Sequence, residues 1–284
     1  MTRIAIVTDT DASLPGEIAE HHDIQQVPIT VHFGDQIFES EVDLFEPEMF
    51  ARIDKEGVLP TTAAPAPGKF AEAYSHAFEQ GADQVLCFTV SAEVSGTYGA
   101  ALAACDLLPG KDITVVDTRS LSMGQGFQVL AAAEAAAAGA SKEEIINLTK
   151  DILGRSHFFA ALATLKYLAM SGRVGHLTAG MASILNIKPI LTIREGKLDM
   201  LEKVRTRKKA WARAIELSRE ALGDGQVERI ALVHSNALED AQAFEKILRE
   251  SIPCPEEMLY ANLTAGLSVH SGAGIVGLGF VIEK

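Results

Sequence analysis

The sequence predicts an α/β protein of two domains, the first built on a mainly parallel sheet and the second a mixed α+β unit. Three observations carry this. In the first half, short continuous apolar runs such as Val85–Val90 and Ile113–Val116 alternate with helical segments, the pattern of parallel strands buried on both faces. In the second half, strand-like runs 189–194 and 197–204 face each other across Glu195-Gly196, a tight turn between antiparallel neighbours. The chain has 284 residues, enough for two ordinary domains. The change of texture falls near residue 160, giving domains 1–160 and 161–284.

The elements follow in order. Arg3–Thr8 is a short buried strand, and Asp9-Thr10-Asp11-Ala12-Ser13-Leu14-Pro15 is a polar turn that opens a helix. Pro60–Pro67 reads as a stiff loop whose prolines lead into a helix over Gly68–Gln80. A strand at 85–90 ends near Ser91, and a helix occupies 98–106. The strand 113–117 is followed by a polar, glycine-rich segment, Thr118–Gly126, and an alanine-rich helix ending near Gly139. Ser141-Lys142-Glu143-Glu144 is a capping box that starts the next helix. Beyond it come a strand at Phe158–Thr164, a short helix at Leu165–Ser171, a glycine turn carrying Arg173 and a helix to about Asn186. Strands at 189–194, 197–204, 229–234 and 276–282 then alternate with helices near 208–222 and 238–250.

Composition narrows the function. Lys and Arg total 25 against 38 Asp and Glu, a net charge of −13, which argues against a nucleic-acid binder. The three cysteines, Cys87, Cys105 and Cys254, are scattered without a CxxC pair, as expected in a reducing compartment and without structural zinc. The first apolar run is too short for a signal peptide, and no uncharged stretch is long enough to span a bilayer. The expectation is a soluble cytoplasmic protein.

Three polar segments precede helices: Thr61-Thr62, Ser95-Gly96-Thr97 and Thr118–Gly126. A helix N-terminus carries unpaired N–H groups and partial positive charge, so hydroxyls there either cap the helix or join its amides in holding an anion. Capping is the simpler account of any one segment; together they point to a small anionic group shared by Thr62 and Ser95. No GxxxxGK[ST] loop is present, which argues against nucleotide hydrolysis. Gly272-Ala273-Gly274-Ile275-Val276-Gly277 matches GxGxxG, yet the chain ends seven residues later, too soon for a dinucleotide site. Those glycines fit close approach of backbone to a ligand or a neighbouring element. His270 precedes them, as a structural or ligand-contacting histidine. Arg173, between glycines, is a carboxylate or phosphate clamp or else an ion-pair residue. His21-His22 reads as surface. Lys203, Arg205, Arg207, Lys208 and Lys209 form a basic cluster, either a solvated face or a docking patch for an acidic partner. Ser95 and His270 with Asp9 or Asp117 outline a hydrolase relay, although no GxSxG elbow is present.

Taken in order, several segments resemble the DegV family, bacterial fatty-acid-binding proteins that include the acyl-binding subunits of fatty acid kinase. They are Ile6-Val7-Thr8-Asp9-Thr10, Pro60-Thr61-Thr62, Ser91 through Ser95-Gly96-Thr97-Tyr98, and Asp117 through Gly126. Leu168 to Arg173, Leu185 to Leu191, Val204-Arg205-Thr206 and His270-Ser271-Gly272 complete the set, so the likeness runs end to end. The resemblance implies a DegV-like (EDD-type) architecture with a fatty acid of the palmitate, stearate or oleate type between two α/β domains. Thr62, Ser95, Gly96 and Thr97 would hold the carboxylate, with Arg173 and His270 near the head group and Thr61, Ser91, Ser120 and Ser271 in support. It further implies no catalysis by this chain and no cofactor or metal beyond the bound acid. A separate fatty acid kinase would phosphorylate that acid for phospholipid synthesis, with at most a transient membrane-surface contact. Where the family's threonine loop usually continues Ser-Gln-Pro, this chain has Ala63-Ala64-Pro65.

Overall fold

The computed structural model describes residues 2–172 and 187–284. The chain opens with β1 (Ile4–Asp9), a single 3-10 turn at Thr10–Ala12, α1 (Gly16–His21) and β2 (Ile24–Val27). Then come β3 (Thr30–Phe33), β4 (Gln36–Glu39), α2 (Glu46–Glu56), β5 (Thr61–Ala63) and α3 (Pro67–Glu79). β6 (Gln84–Thr89), α4 (Thr97–Cys105), β7 (Asp112–Asp117), α5 (Met123–Ala137) and α6 (Lys142–Arg155) follow. The remainder starts with β8 (Ser156–Ala161), α7 (Lys166–Ser171), β9 (Lys188–Arg194), β10 (Lys197–Val204) and α8 (Arg207–Leu222). It closes with β11 (Val227–Ser235), α9 (Leu238–Leu248), β12 (Leu259–Asn262), α10 (Ala265–Ser271) and β13 (Ile275–Ile282).

These elements form three sheets. The first is parallel throughout, in the order β2-β1-β6-β7, with Ile6 opposite both Ile24 and Leu86. Its strands are apolar on both faces because helices cover both. α3 and α4 pack Phe70, Tyr74, Ala101 and Ala104 on Val7, Val85 and Cys87, while the opposite face meets α5. The second sheet, β10-β9-β8-β13-β11-β12, is mixed: β11 and β12 run parallel and every other pair antiparallel. α8 and α9 cover one of its faces with Trp211, Ile215 and Phe244. The α/β class, with a parallel N-terminal sheet and a mixed C-terminal one, is therefore the observed architecture.

α5 explains the alanine-rich stretch. It packs on β1 and β6 of the first sheet and on β8, β11 and β13 of the second, and every side chain from Met123 to Ala133 is buried. A helix enclosed on all sides takes apolar or small side chains on every face, and its two buried amides, Gln125 and Gln128, are hydrogen-bonded. Close approach extends to Gly126, where a Cβ would stand 2.9 Å from the Ala12 carbonyl oxygen. The Ser141 capping box is formed as expected, with Ser141 Oγ accepting from Glu144 N and the Glu144 carboxylate accepting from Ser141 N.

The third sheet, β4-β3-β5, is a small antiparallel unit that the sequence reading does not contain. Thr61–Ala63, expected as part of a stiff loop, is strand: Val31 pairs with Thr62 and His32 with Thr61. The segment is strand because β3 supplies its hydrogen-bonding edge. α2 and α10 close this unit around Val31, Phe33, Met49, Phe50 and Val269. The glycines of the GxGxxG match serve neighbouring protein elements. A Cβ on Gly277 would lie 2.5 Å from the Phe159 carbonyl oxygen of β8, and one on Gly272 would strike the Tyr167 ring.

Candidate ligand-binding cleft

The three sheets converge on a cleft with about 900 Å³ of open space, counted to its mouth. Ligand sites for small molecules are mostly apolar with a few placed polar groups. This one follows that rule. Phe158, Ala160 and Leu162 from β8 and its end, Leu191 from β9 and Leu198 from β10 build one wall. Its polar lining comes from Asp11, Thr62, Ser95, His270 and Ser271.

Thr62 and His270 meet across 208 residues of sequence: Thr62 Oγ1 and His270 Nε2 are hydrogen-bonded at 2.8 Å. β5 aims Thr62 into the cleft, and strand alternation leaves Thr61 exposed and outside the lining. α10 carries His270 and Ser271 at its C-terminal end, and the buried Ser271 hydroxyl donates to the Gly272 carbonyl. Thr62, Ser95 and His270 are half-buried and Gly96 is exposed, so this group lies where the cleft meets solvent.

Ser95 serves two of the roles considered for it at once. Its Oγ lies 2.8 Å from Thr97 Oγ1 and accepts from Thr97 N at 3.3 Å, a local cap at the start of α4, and the same side chain lines the cleft. Thr97 is fully buried behind it. Ser91 and Ser120 hold the loops together, with Ser91 N donating to the Ser120 carbonyl and the Ser91 carbonyl accepting from Val94 N and Ser95 N. Neither lines the cleft; Ser120 faces a separate groove with Arg119 and His157. Arg173 lies outside the described residues, as does the helix expected to end near Asn186.

Two buried aspartates belong to the 3-10 turn, Asp9 as its N-cap and Asp11 within it. Asp9 accepts from Val90 N at 2.7 Å, Asp11 N at 3.0 Å and Gln125 Nε2 at 3.3 Å, and so ties the end of β1 to the end of β6 and to α5. Burial pushes its carboxyl up to about 6 against the pull of those donors. Burial, and then the charge of Asp9, push Asp11 well above the usual carboxylate range. Asp11 lines the cleft, which its reading as part of a polar turn did not anticipate.

The hydrolase relay is not assembled. Ser95 is hydrogen-bonded to Thr97, and His270 Nε2 to Thr62. Asp9 is occupied by Val90, Asp11 and Gln125, and Asp117 Oδ1 by the amides of Ala92 and Arg119. Among the described residues, no group of three His, Cys, Asp or Glu could hold a metal ion, and no helix is long and apolar enough to cross a membrane. In the basic cluster, Arg207 pairs with Asp240 and lies over the Trp211 ring, while Lys203, Arg205, Lys208 and Lys209 are exposed and do not line the cleft.

Compared with known proteins, the chain matches the model of the DegV family, described there as uncharacterised proteins, over residues 3–283. The chain belongs to the DegV family. A DegV domain-containing protein of Streptomyces coelicolor is 37% identical over 276 residues, 97% of each chain. Among solved structures, a DegV-family protein of Thermus thermophilus described for its fatty-acid binding superposes with a TM-score of 0.91 at 30% identity. That match covers 99% of this chain and 100% of the other. DegV of Bacillus subtilis, described as a fatty-acid-binding protein, gives 0.88 at 29% identity over the full length of both chains. The DegV fold thus accounts for the whole chain, small sheet included.

Proposed function

We propose that this DegV-family protein binds a long-chain fatty acid in the cleft and presents it to a separate kinase that phosphorylates the carboxylate. On this reading Thr62, Ser95, His270 and the amide of Gly96 hold the carboxylate, Thr97 steadies Ser95 from behind, Ser271 supports them, and the apolar wall takes the chain. The single observation that carries the reading is the cleft itself: a long apolar wall faced by a half-exposed cluster of two hydroxyls and an imidazole. Residues 1–160 then carry most of the head-group contacts, residues 161–284 add His270 and Ser271, and both parts share the apolar lining.

The energetics fit this arrangement. Burying a sixteen-carbon tail at about 0.8 kcal/mol per methylene yields roughly 11 kcal/mol gross. Association costs an estimated 4–15 kcal/mol, so the tail alone does not secure tight binding. A buried carboxylate without partners adds several kcal/mol of penalty, which makes hydrogen-bond donors at the head group necessary. Their place at the mouth supports presentation, because a partner can reach a carboxylate held there. The basic cluster supports an acidic partner: Arg207, Lys208 and Lys209 occupy the first turn of α8, where the helix dipole favours acidic side chains. The deciding experiment is organic extraction of detergent-free protein followed by mass spectrometry. A stoichiometric long-chain acid is expected; an empty extract, with no uptake of added acid, would sink the proposal.

A further inference from the structure

One polar group on the cleft wall has no part in holding the carboxylate. Asp11 is 7% exposed, and the surface it retains faces the cleft. Its Oδ1 lies 3.4 Å from Thr264 Oγ1, well beyond the usual O–H···O separation of about 2.8 Å. Asp9 and Glu41 are the charged groups that act on it, both acidic, and among the described residues no cation pairs with it. The carboxyl is nonetheless firmly seated. Gly266 of α10 lies against it, so close that a Cβ there would fall 2.8 Å from Asp11 Oδ1 and 3.1 Å from Ile29. The Asp11 amide and carbonyl are engaged as well, with Asp9 Oδ1 and Ser122 N, so neither can shift to cover the side chain.

We propose that Asp11 is a specificity site for the acyl chain: its carboxyl takes a hydroxyl carried on the chain, and the preferred ligand is a hydroxylated fatty acid. This rests on the fatty-acid reading given above. A plain methylene chain laid over Asp11 would strip it of water and return no partner, which a buried polar group resists. A chain hydroxyl both donates and accepts, so it satisfies the carboxyl in either protonation state. Sites built to hydrogen-bond a ligand hydroxyl discriminate strongly against the analogue that lacks it. The position of the hydroxyl follows from α10. Gly266 precedes His270 by four residues, about one helical turn or roughly 5–6 Å along the helix, so the hydroxyl belongs to the carboxyl-proximal part of the chain.

The test is competitive binding of palmitic acid and the series of monohydroxypalmitic acids to the whole protein and to Asp11→Leu and Asp11→Asn. One hydroxy isomer is expected to bind roughly tenfold or more tighter than palmitic acid. Asp11→Leu should reverse that order, and Asp11→Asn, which keeps hydrogen-bonding atoms, should retain part of it. The asparagine variant also serves if the leucine variant fails to fold. Binding of palmitic acid as tight as that of every hydroxy isomer would overturn the inference and leave the fatty-acid reading standing. A hydroxyl preference that survives both substitutions would overturn the assignment to Asp11. Binding of none of the acids would overturn the fatty-acid reading and this inference with it.

Discussion

The two walls of the cleft divide the chemistry between them. The six-stranded sheet contributes Phe158, Ala160, Leu191 and Leu198, all apolar, whereas β5, the segments leaving β1 and β6, and α10 contribute Asp11, Thr62, Ser95 and His270 among apolar neighbours such as Val90, Val94 and Leu267. The apolar wall is regular because it is the pleated surface of a continuous sheet, and strand pairing holds its side chains in place. The polar wall is assembled from strand ends, loops and a short helix, where side chains and backbone amides can be aimed individually. A ligand with one polar end suits this division: the sheet offers area without direction, and the loops offer direction with little area.

The largest effect is expected on the apolar wall. Leu191 is 2% exposed in β9, and Leu191→Ala should destabilise the protein by about 2–5 kcal/mol in denaturant titrations, because the sheet cannot collapse around the void. The double substitution Thr62→Ala with Ser95→Ala should lower fatty-acid affinity at least tenfold with the thermal midpoint nearly unchanged. An affinity equal to wild type would mean that the polar wall does not hold the carboxylate. A smaller effect concerns pH. Asp9 titrates near 6 in the fold and near 4 when unfolded, so the folded state holds the extra proton and stability falls as pH rises through that interval. Asp11 shifts in the same direction. Thermal melts should therefore show stability declining from about pH 4 to about pH 6 through Asp9, with Asp11 adding a decline in the same direction and the slope reduced in Asp11→Asn. The smallest effect is a control: Thr61→Ala, on the outward face of β5, should leave affinity within error of wild type, and a large loss would redraw the polar wall.

What local sequence signals can show was visible here. β6 and β7 announce themselves by apolar runs, and Ser141 and Glu144 make the cap that their spacing foretells. The region from Ile24 to Ala63 stayed illegible because its strands are three or four residues long, too short for any period to emerge. Their identity comes from pairing with distant partners, such as Val31 with Thr62. Thr62 and His270 were each picked out by local context and family resemblance, but their mutual hydrogen bond is a product of the tertiary fold. Asp11 was hidden for the opposite reason. The Asp9-Thr10-Asp11 run does make a turn, with Asp11 N donating to Asp9, and that local role masked a side chain whose surroundings come from Thr264 and Gly266.

The alanine-rich α5 has a consequence for the cleft that it does not itself line. Because it lies between the parallel sheet and the mixed sheet, its thickness acts as a gauge block that fixes how far apart the two carriers of the cleft walls stand. Every methylene added to Ala131, Ala132 or Ala133 would be transmitted as separation of the sheets, since a packed interior has no slack to absorb it. The bore of the cleft is thus written into the girth of a helix that does not line it.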